Sequence, residues 1–302
     1  MTGGYPETFL PLTAGEGVEQ DQVFDPALRH HPYGFRAGEP VFRDPALGHA
    51  WRAARRAALD HVLTLVTGSE WGGHLVLRGS MLLATWFPGA AREPGDLDYV
   101  MTPPTRMLTD DSTARMFTAL VDAVREHPAA APGVIFRPDQ AASDDIWTYE
   151  RAPGRRLVFP WGADGLPDGT VQVDVVFNET LPEPPVPTTV IRGDGTPLLV
   201  PAAASPALSL AWKIAWLVAD AYPEGKDLYD AVLLAEHTAL PWSLLHPLLA
   251  RELSAAQLDA FSAADILELE VEREVGGTGT GAGELLQRLA AALTPTFAQV
   301  TG

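Results

Sequence analysis

The sequence contains no cysteine, few lysines and no long apolar run. Without cysteine, the chain can form neither a disulfide framework nor a thiolate metal site. No stretch of about 18 apolar residues is present, which argues against a membrane span. The N-terminus lacks the basic segment followed by an apolar one that marks a secretory signal. These absences predict a soluble, cytoplasmic protein without a membrane partner.

Basic residues are outnumbered: 21 Lys and Arg stand against 39 Asp and Glu, so the formal net charge of the 302-residue chain is −18. Such a chain repels phosphate backbones, which disfavours non-specific nucleic-acid binding unless basic residues cluster locally. With 46% hydrophobic and 20% charged residues, the composition is that of a folded protein. The only two lysines are Lys213 and Lys226, which suggests that an ammonium group has a specific task there.

The distribution of apolar residues and of Pro and Gly predicts a mixed α/β half followed by a helical half. We expect an N-terminal arm over 1–45, a mixed domain over 46–201 and a helical domain over 202–302. Segment 128–170, with short β-like pieces at 134–137, 147–150 and 156–159, predicts an inserted subdomain. The expected helices are 51–66, 81–87, 109–127, 205–221, 226–238, 241–251 and 284–293, and the clearest expected strands are 74–77, 96–101, 171–177, 188–192 and 197–200. The glycine-rich run 276–283 predicts a flexible linker.

Asp96 and Asp98 are the first candidate site. Alternate side chains of a strand share a face, so these two carboxylates point the same way while Leu97 and Tyr99 point into the core. Like charges at this spacing are costly without a cation between them, and Mg²⁺ would remove that cost. The alternative is an exposed, solvated strand end, which is the commoner origin of an isolated Asp-x-Asp.

Asp174 interrupts the most strongly β-like segment of the chain. Val173 and Val175 share one face of this strand, and Asp174 lies on the other. An ionised carboxylate among such residues is expensive to bury without a partner, although exposure on an edge strand would explain it. If this strand pairs beside 96–101, Asp174 becomes a third ligand. Three such acids would hold two metals about 3.5–4 Å apart, as in phosphoryl and nucleotidyl transfer.

A turn at Arg78, Gly79 and Ser80 joins a predicted strand to a predicted helix. Glycine lets the backbone approach a ligand, amides at a helix start can bind phosphate, and Ser80 adds a hydroxyl. A simple helix cap is the alternative. Arg92, four residues before Asp96, is suited either to phosphate or to an acidic partner.

Taken together, these motifs resemble a known superfamily. The motif LRGS at 77–80, DLD at 96–98 and the strand bearing Asp174 resemble nucleotidyltransferases built on the polymerase-β-like catalytic core. The helical half, with SPALSLAWKIAWL at 205–217 and GKDLYDAVLL at 225–234, resembles more narrowly the AbiEii/AbiGii toxin-type nucleotidyltransferases, which include the MenT toxins.

This resemblance implies an α+β fold, in which a nucleotidyltransferase-type mixed sheet flanked by helices precedes a C-terminal helical domain. It also implies roles for particular residues. The metal, Mg²⁺ or Mn²⁺, would be bound by Asp96, Asp98 and Asp174. The nucleoside triphosphate would be bound by Arg78, Gly79, Ser80, Arg92 and Lys213. Asp227 matches the acid of the last family motif and completes the catalytic set, which is Asp96, Asp98, Asp174, Lys213 and Asp227.

The implied activity is metal-dependent transfer of a nucleoside monophosphate from a triphosphate to tRNA or protein, by a toxin that a separate antitoxin neutralises. Two alternatives stay open. The first is transfer to a small molecule, since an acidic cleft attracts cationic substrates. The second is a non-catalytic nucleotide-binding scaffold. Arg52, Arg55 and Arg56 form the densest basic patch, either an acceptor contact or a solvated helix face.

Overall fold

The computed structural model describes residues 4–12, 17–148, 152–220, 223–271 and 280–299. The chain divides into two compact units. The first comprises the described residues up to Trp86, Arg92–Thr180 and Pro187–Ala203. The second comprises Phe87–Ala91, Leu181–Val186 and the described residues from Ala204 onward.

The described residues form short and long strands that are numbered here in chain order. The strands are β1 (Val18–Glu19), β2 (Gln22–Phe24), β3 (Phe35–Ala37), β4 (Val41–Phe42), β5 (Leu75–Arg78), β6 (Asp96–Met101), β7 (Ala129–Ala131), β8 (Val134–Phe136), β9 (Ala142–Thr148), β10 (Ala152–Ala163), β11 (Gly169–Val176), β12 (Val186–Ile191) and β13 (Pro197–Ala203). The helices are α1 (Pro45–Gly68), α2 (Ser80–Trp86), α3 (Asp111–Glu126), α4 (Pro206–Ala219), α5 (Gly225–Ala235), α6 (Trp242–Leu249), α7 (Ala255–Ala260), α8 (Ala263–Leu267), α9 (Ala282–Ala292) and α10 (Thr294–Phe297).

One mixed sheet dominates the first unit. Its strands lie in the order β12-β13-β5-β6-β11-β10-β8-β7, and β9 pairs with β10. β6 is antiparallel to β5 and parallel to β11. The strand predicted at 96–101 is therefore β6, and the sheet places it beside β11, the strand that carries Asp174.

Helix α1 supplies the main helical cover of this sheet. It begins after Asp44, whose side chain accepts a hydrogen bond from the backbone of Ala46, and Pro45 suits the first helical position. Its buried side chains include Trp51 and Leu59. The helix packs against β11 and β13 and against α3, so the apolar face of the sheet is buried while the other face can carry charge.

Segment 128–170 does not form a separate subdomain, contrary to expectation. Its strands β7, β8, β9 and β10 belong to the same sheet as β6. β10 runs for 12 residues and pairs with β11 on one side and with β8 and β9 on the other. The pattern hid this strand because Gly154, Arg155, Arg156 and Pro160 interrupt its apolar run, and glycine and proline are depleted in strands. The piece predicted at 147–150 extends beyond the described residues.

The predicted arm is folded onto the first unit in its described part. β1 pairs with β4, β2 pairs with β3, and a 3₁₀ turn at Pro26–Leu28 buries Leu28. This turn packs against β9.

Helices form the described part of the second unit from α4 onward. Ser205 caps α4 by accepting a hydrogen bond from the backbone of Leu208 at 3.0 Å, and α4 packs against α5 and α6. Most of the predicted linker 276–283 lies outside the described residues. In the described ranges, no helix has both the length and the apolar character needed to cross a bilayer.

Candidate active site

A row of charged residues crosses the central strands of the sheet. The backbone register pairs Arg78 with Asp98 across β5 and β6, and Asp98 with Asp174 across β6 and β11. It pairs Arg156 of β10 with both Asp174 and Asp144. Paired residues point to the same side of a sheet, so these side chains line one face. The structure thus brings Asp174 alongside the Asp-x-Asp motif.

Asp96 and Asp98 lie on this face as strand alternation predicts. Both are half-buried, whereas Leu97 and Tyr99 are buried. The hydroxyl of Ser80 lies 3.4 Å from Oδ1 of Asp96, to which it donates a hydrogen bond. The two carboxylates therefore adjoin the strand-to-helix turn and remain accessible to a ligand.

Gly79 is required at this turn for two reasons. Its φ of +81° is a conformation that L side chains rarely adopt. A Cβ added there would also lie 2.6 Å from Oδ2 of Asp98. The Asp98 carboxylate consequently rests against the glycine backbone, in space that any other residue would fill.

Asp174 is buried in the middle of the sheet, so the edge-strand explanation of this residue is wrong. Arg156 donates two hydrogen bonds to the carboxylate of Asp174, from Nε to Oδ1 at 2.9 Å and from Nη2 to Oδ2 at 2.8 Å. Gln172 donates to Oδ2 at 3.1 Å. Burial raises the pKa of Asp174 above its ordinary value, the Arg156 charge opposes that rise, and the charge of Asp96 adds to it.

Lys213 and Asp227 lie in the second unit and contact each other. Lys213 is buried on α4, and its Nζ donates to Oδ1 of Asp227 on α5 at 2.5 Å. The same Nζ lies 3.3 Å from Oδ2 of Asp230, one turn further along α5. Lys226, by contrast, has a side chain that is 42% exposed, and it pairs with Glu224 at the start of α5. The two lysines of the chain thus have different environments, and only Lys213 joins two helices.

The larger part of the sequence also matches the model of a protein family. A model of the family described as nucleotidyl transferase AbiEii toxin, type IV toxin–antitoxin system, matches residues 62–278. The chain belongs to this family. Among curated proteins, none matches the chain in sequence.

A solved structure of a nucleotidyltransferase toxin resembles this AbiEii family member in fold. MenT4, a nucleotidyltransferase toxin from Mycobacterium tuberculosis, is 20% identical, and the match covers 85% of this chain and 87% of MenT4 with a TM-score of 0.53. JHP933 from Helicobacter pylori is 14% identical, with 85% of this chain and 94% of that chain covered and a TM-score of 0.46. Family membership indicates a nucleotidyltransferase toxin of a type IV toxin–antitoxin system. The family and the α+β fold are as predicted.

The three candidate carboxylates of this AbiEii chain differ in how well they could bind a hard cation such as Mg²⁺. Mg²⁺ prefers one or two carboxylates together with water and phosphate oxygens, and the accessible pair Asp96 and Asp98 supplies that donor set. Asp174 differs because Arg156 and Gln172 already occupy both of its oxygens. Among the residues that the structure describes, no three His, Asp or Glu side chains are arranged to hold a metal ion together. The third-ligand role of Asp174 therefore stays a prediction.

The predicted phosphate-binding arginines have different surroundings. Arg78 is buried, and its Nη1 donates to Oε2 of Glu179 at 3.0 Å. Arg92 is half-buried in the loop before β6. Arg78 is thus already engaged in an ion pair, and this pair links the end of β5 to the segment after β11.

Two of the three arginines of the patch on α1, Arg55 and Arg56, are paired with acids and are not solvated. Arg55 is buried over the ring of Trp51, and its Nη1 donates to Oε1 of Glu39 at 2.6 Å. Arg56 donates from Nε to Oδ1 of Asp60 at 3.0 Å. Both charges are neutralised within the first unit, a pairing that sequence spacing reveals only for Arg56 and Asp60 at i and i+4.

Sequence reasoning missed two residues of the site, Asp25 and Arg156. Nη1 of Arg156 donates to Oδ2 of Asp25 at 2.6 Å. Burial opposes the ionisation of Asp25, but the Arg156 guanidinium overcomes it and holds the pKa of Asp25 below its usual 3.8. The available signal was the buried Asp174 itself, because such a carboxylate needs a cationic partner.

Proposed function

We propose that this AbiEii toxin is a Mg²⁺- or Mn²⁺-dependent nucleotidyltransferase that moves a nucleoside monophosphate from a nucleoside triphosphate to tRNA or protein. A separate antitoxin would be its partner. The observation that carries the proposal is the row of Asp98 and Asp174 on adjacent strands, with Asp96 on the same face and the Gly79-Ser80 turn against it. Asp96 and Asp98 are accessible, and the turn beside them has no side chain at Gly79. This arrangement suits a triphosphate bound through a metal.

Asp96 and Asp98 would hold the metal, which when bound would counter the charge on the phosphates. Asp174 would join them through its remaining acceptor position. A carboxylate has about four lone-pair positions, and Arg156 and Gln172 use three at Asp174. The free position is on Oδ1, which accepts only one of these hydrogen bonds.

Polar groups of the chain would bind the phosphates. The Gly79 backbone admits close approach, the Ser80 hydroxyl can donate, and Arg78 and Arg92 supply charge. Lys213, held by Asp227, would counter the charge on the leaving pyrophosphate with a compact ammonium. The acceptor hydroxyl or amine would bond to the α-phosphorus and release its proton to solvent water. Pyrophosphate leaves with the electron pair of the broken P–O bond.

A small cationic acceptor is a second candidate. The net charge of −18 favours cations over polyanions, and Arg55 and Arg56 are already paired with acids. The site chemistry is the same for either acceptor, so acceptor identity is a separate question from transfer itself.

The test is transfer of label from each α-³²P-labelled nucleoside triphosphate to tRNA, total protein or a small-molecule extract, with and without EDTA. We expect labelling of one fraction that EDTA abolishes and that Asp96→Asn lowers by on the order of 10²-fold or more, while the variant stays folded. Asp145→Asn is the matched control, because Asp145 is an exposed acid of the same sheet paired with Arg155. Full labelling by Asp96→Asn would refute the metal site. Growth arrest on induction should follow the same pattern.

A further inference from the structure

A buried triad joins the N-terminal arm to the candidate metal site. Asp25 in the arm, Arg156 on β10 and Asp174 on β11 are 7%, 5% and 8% exposed. Arg156 uses Nε and Nη2 for Asp174 and Nη1 for Asp25. The planar guanidinium group is thus bound by a carboxylate on each side, and it sets the orientation of the Asp174 carboxylate.

The triad has a consequence for charge. Arg156 contacts both carboxylates, and Nε of Arg36 lies 3.9 Å from Oδ2 of Asp25 as a second, more distant cation. Asp25 therefore shares the Arg156 guanidinium charge, so that Asp174 does not receive the whole of it. The low dielectric of a buried site strengthens this effect.

The position of Asp25 is itself fixed by the arm. Its Oδ1 accepts a hydrogen bond from the backbone of Ala27 at 3.0 Å and so caps the 3₁₀ turn at Pro26–Leu28. Leu28 of that turn is 1% exposed. One oxygen of Asp25 thus anchors it to the arm, and the other oxygen binds Arg156.

We propose that Asp25 and Arg156 are positioning residues for the metal site, so that the arm forms part of the catalytic unit. Together they orient Asp174 and maintain the negative charge that a divalent cation requires. This inference rests on the proposed metal-dependent function. It assigns to the arm a role that its sequence, rich in Pro, Gly and Asp, does not suggest.

A second anchor of the same arm provides a matched control. Thr8 donates from its hydroxyl and from its backbone N–H to Oδ2 of Asp144, at 2.6 and 2.7 Å. Asp144 pairs with Arg156 in the register of β9 and β10, yet the hydrogen bonds of the Arg156 guanidinium run to Asp25 and Asp174. Thr8→Val loosens the arm without removing a charge from the triad.

The test is a titration of the full chain with Mn²⁺, in which electron paramagnetic resonance measures the bound and free metal. It compares the wild type with Asp25→Asn, Thr8→Val and Asp96→Asn. Asparagine can still cap the 3₁₀ turn. We expect Asp25→Asn to weaken Mn²⁺ binding by about 10- to 100-fold, the usual effect of removing a group that supports a metal ligand. The Mn²⁺ affinity of Thr8→Val should stay within about twofold of that of the wild type. The melting temperature of each variant shows whether it is folded. Arg156→Lys, which keeps the charge but loses the planar guanidinium group, should weaken binding similarly.

The outcomes separate this inference from the proposed function. If the wild type binds Mn²⁺ at a site lost in Asp96→Asn but Asp25→Asn binds equally well, the positioning role is wrong and the metal site stands. If Thr8→Val weakens binding as much as Asp25→Asn, docking of the arm explains the effect and the triad does not. If Asp96→Asn binds Mn²⁺ like the wild type, the proposed metal site is wrong, and the inference that depends on it is wrong too.

Discussion

Gly79 shows how a single residue can determine the geometry of the candidate site. It provides the positive φ that turns the chain from β5 into α2. It also leaves the space in which the Asp98 carboxylate lies. These two requirements can be separated experimentally, because Gly133 has the same φ of +81° with no atom within 4 Å of its added Cβ.

Gly79→Ala should therefore affect both stability and catalysis. Forcing an alanine into the left-handed region costs about 1–2 kcal/mol. The new Cβ would also displace Asp98, and a shift of about 1 Å can lower the rate by about 10²-fold. Urea denaturation and the labelling assay measure the two effects. Gly133→Ala should lose similar stability and keep its activity; equal activity of the two variants would show that the Asp98 contact is irrelevant.

At the scale of elements, buried charged side chains join one element to another. Lys213 joins α4 to α5 through Asp227 and Asp230. Asp60 joins α1 to the turn between β12 and β13, where it accepts a hydrogen bond from the backbone of Gly193 at 2.6 Å. Such contacts are costly to break, since the remaining group stays buried with its charge.

The two lysines allow a direct comparison of buried and exposed pairs. Lys213→Met should lower the free energy of unfolding by about 3 kcal/mol, because it removes the cation that neutralises Asp227 and the buried Asp230. Lys226→Met should change it by less than about 0.5 kcal/mol, since the pair with Glu224 is exposed. Chemical denaturation measures both. Similar losses in the two variants would contradict a structural role for Lys213.

Asp60 gives a pH-dependent prediction. Burial raises the pKa of Asp60 above its ordinary 3.8, although Gly193 and Arg56 partly oppose it. The folded chain therefore binds this proton more tightly than the unfolded chain does. The resulting stability is present below 3.8 and is lost as pH rises through the folded-state pKa. The stability of the wild type relative to Asp60→Asn should fall as the pH rises from 3.8 through the folded-state pKa, as urea titrations at several pH values would measure. A constant difference would contradict this.

For the whole molecule, the decisive quantity is a net charge of −18 with much of the positive charge already paired. Several of the described arginines contact a carboxylate. These are Arg43, Arg55, Arg56, Arg78, Arg125, Arg137, Arg155, Arg156 and Arg288. At these nine described positions, a polyanionic acceptor would thus meet cations that are already paired with acids.

Salt should consequently have a small effect on transfer to tRNA. Proteins that make six to ten phosphate contacts lose about 10³- to 10⁵-fold in affinity between about 50 and 200 mM salt. With few such contacts, we expect the KM for tRNA to rise by at most about tenfold over the same range. Initial rates at several KCl concentrations measure it. A steeper dependence would reveal a cationic surface that the paired arginines do not supply.

The sequence by itself determined the family, the α+β class and the orientation of Asp96 and Asp98. These follow from local properties, because strand alternation places residues i and i+2 on one face and motif spacing reports the order of elements. Only the tertiary structure decided that β11 lies beside β6, that the strands of segment 128–170 extend the same sheet, and that Arg55 is paired with Glu39. It also revealed Asp25 and Arg156, which lie 131 positions apart. Strand order and side-chain pairing depend on which distant segments pack together, and no local pattern of polarity records that choice.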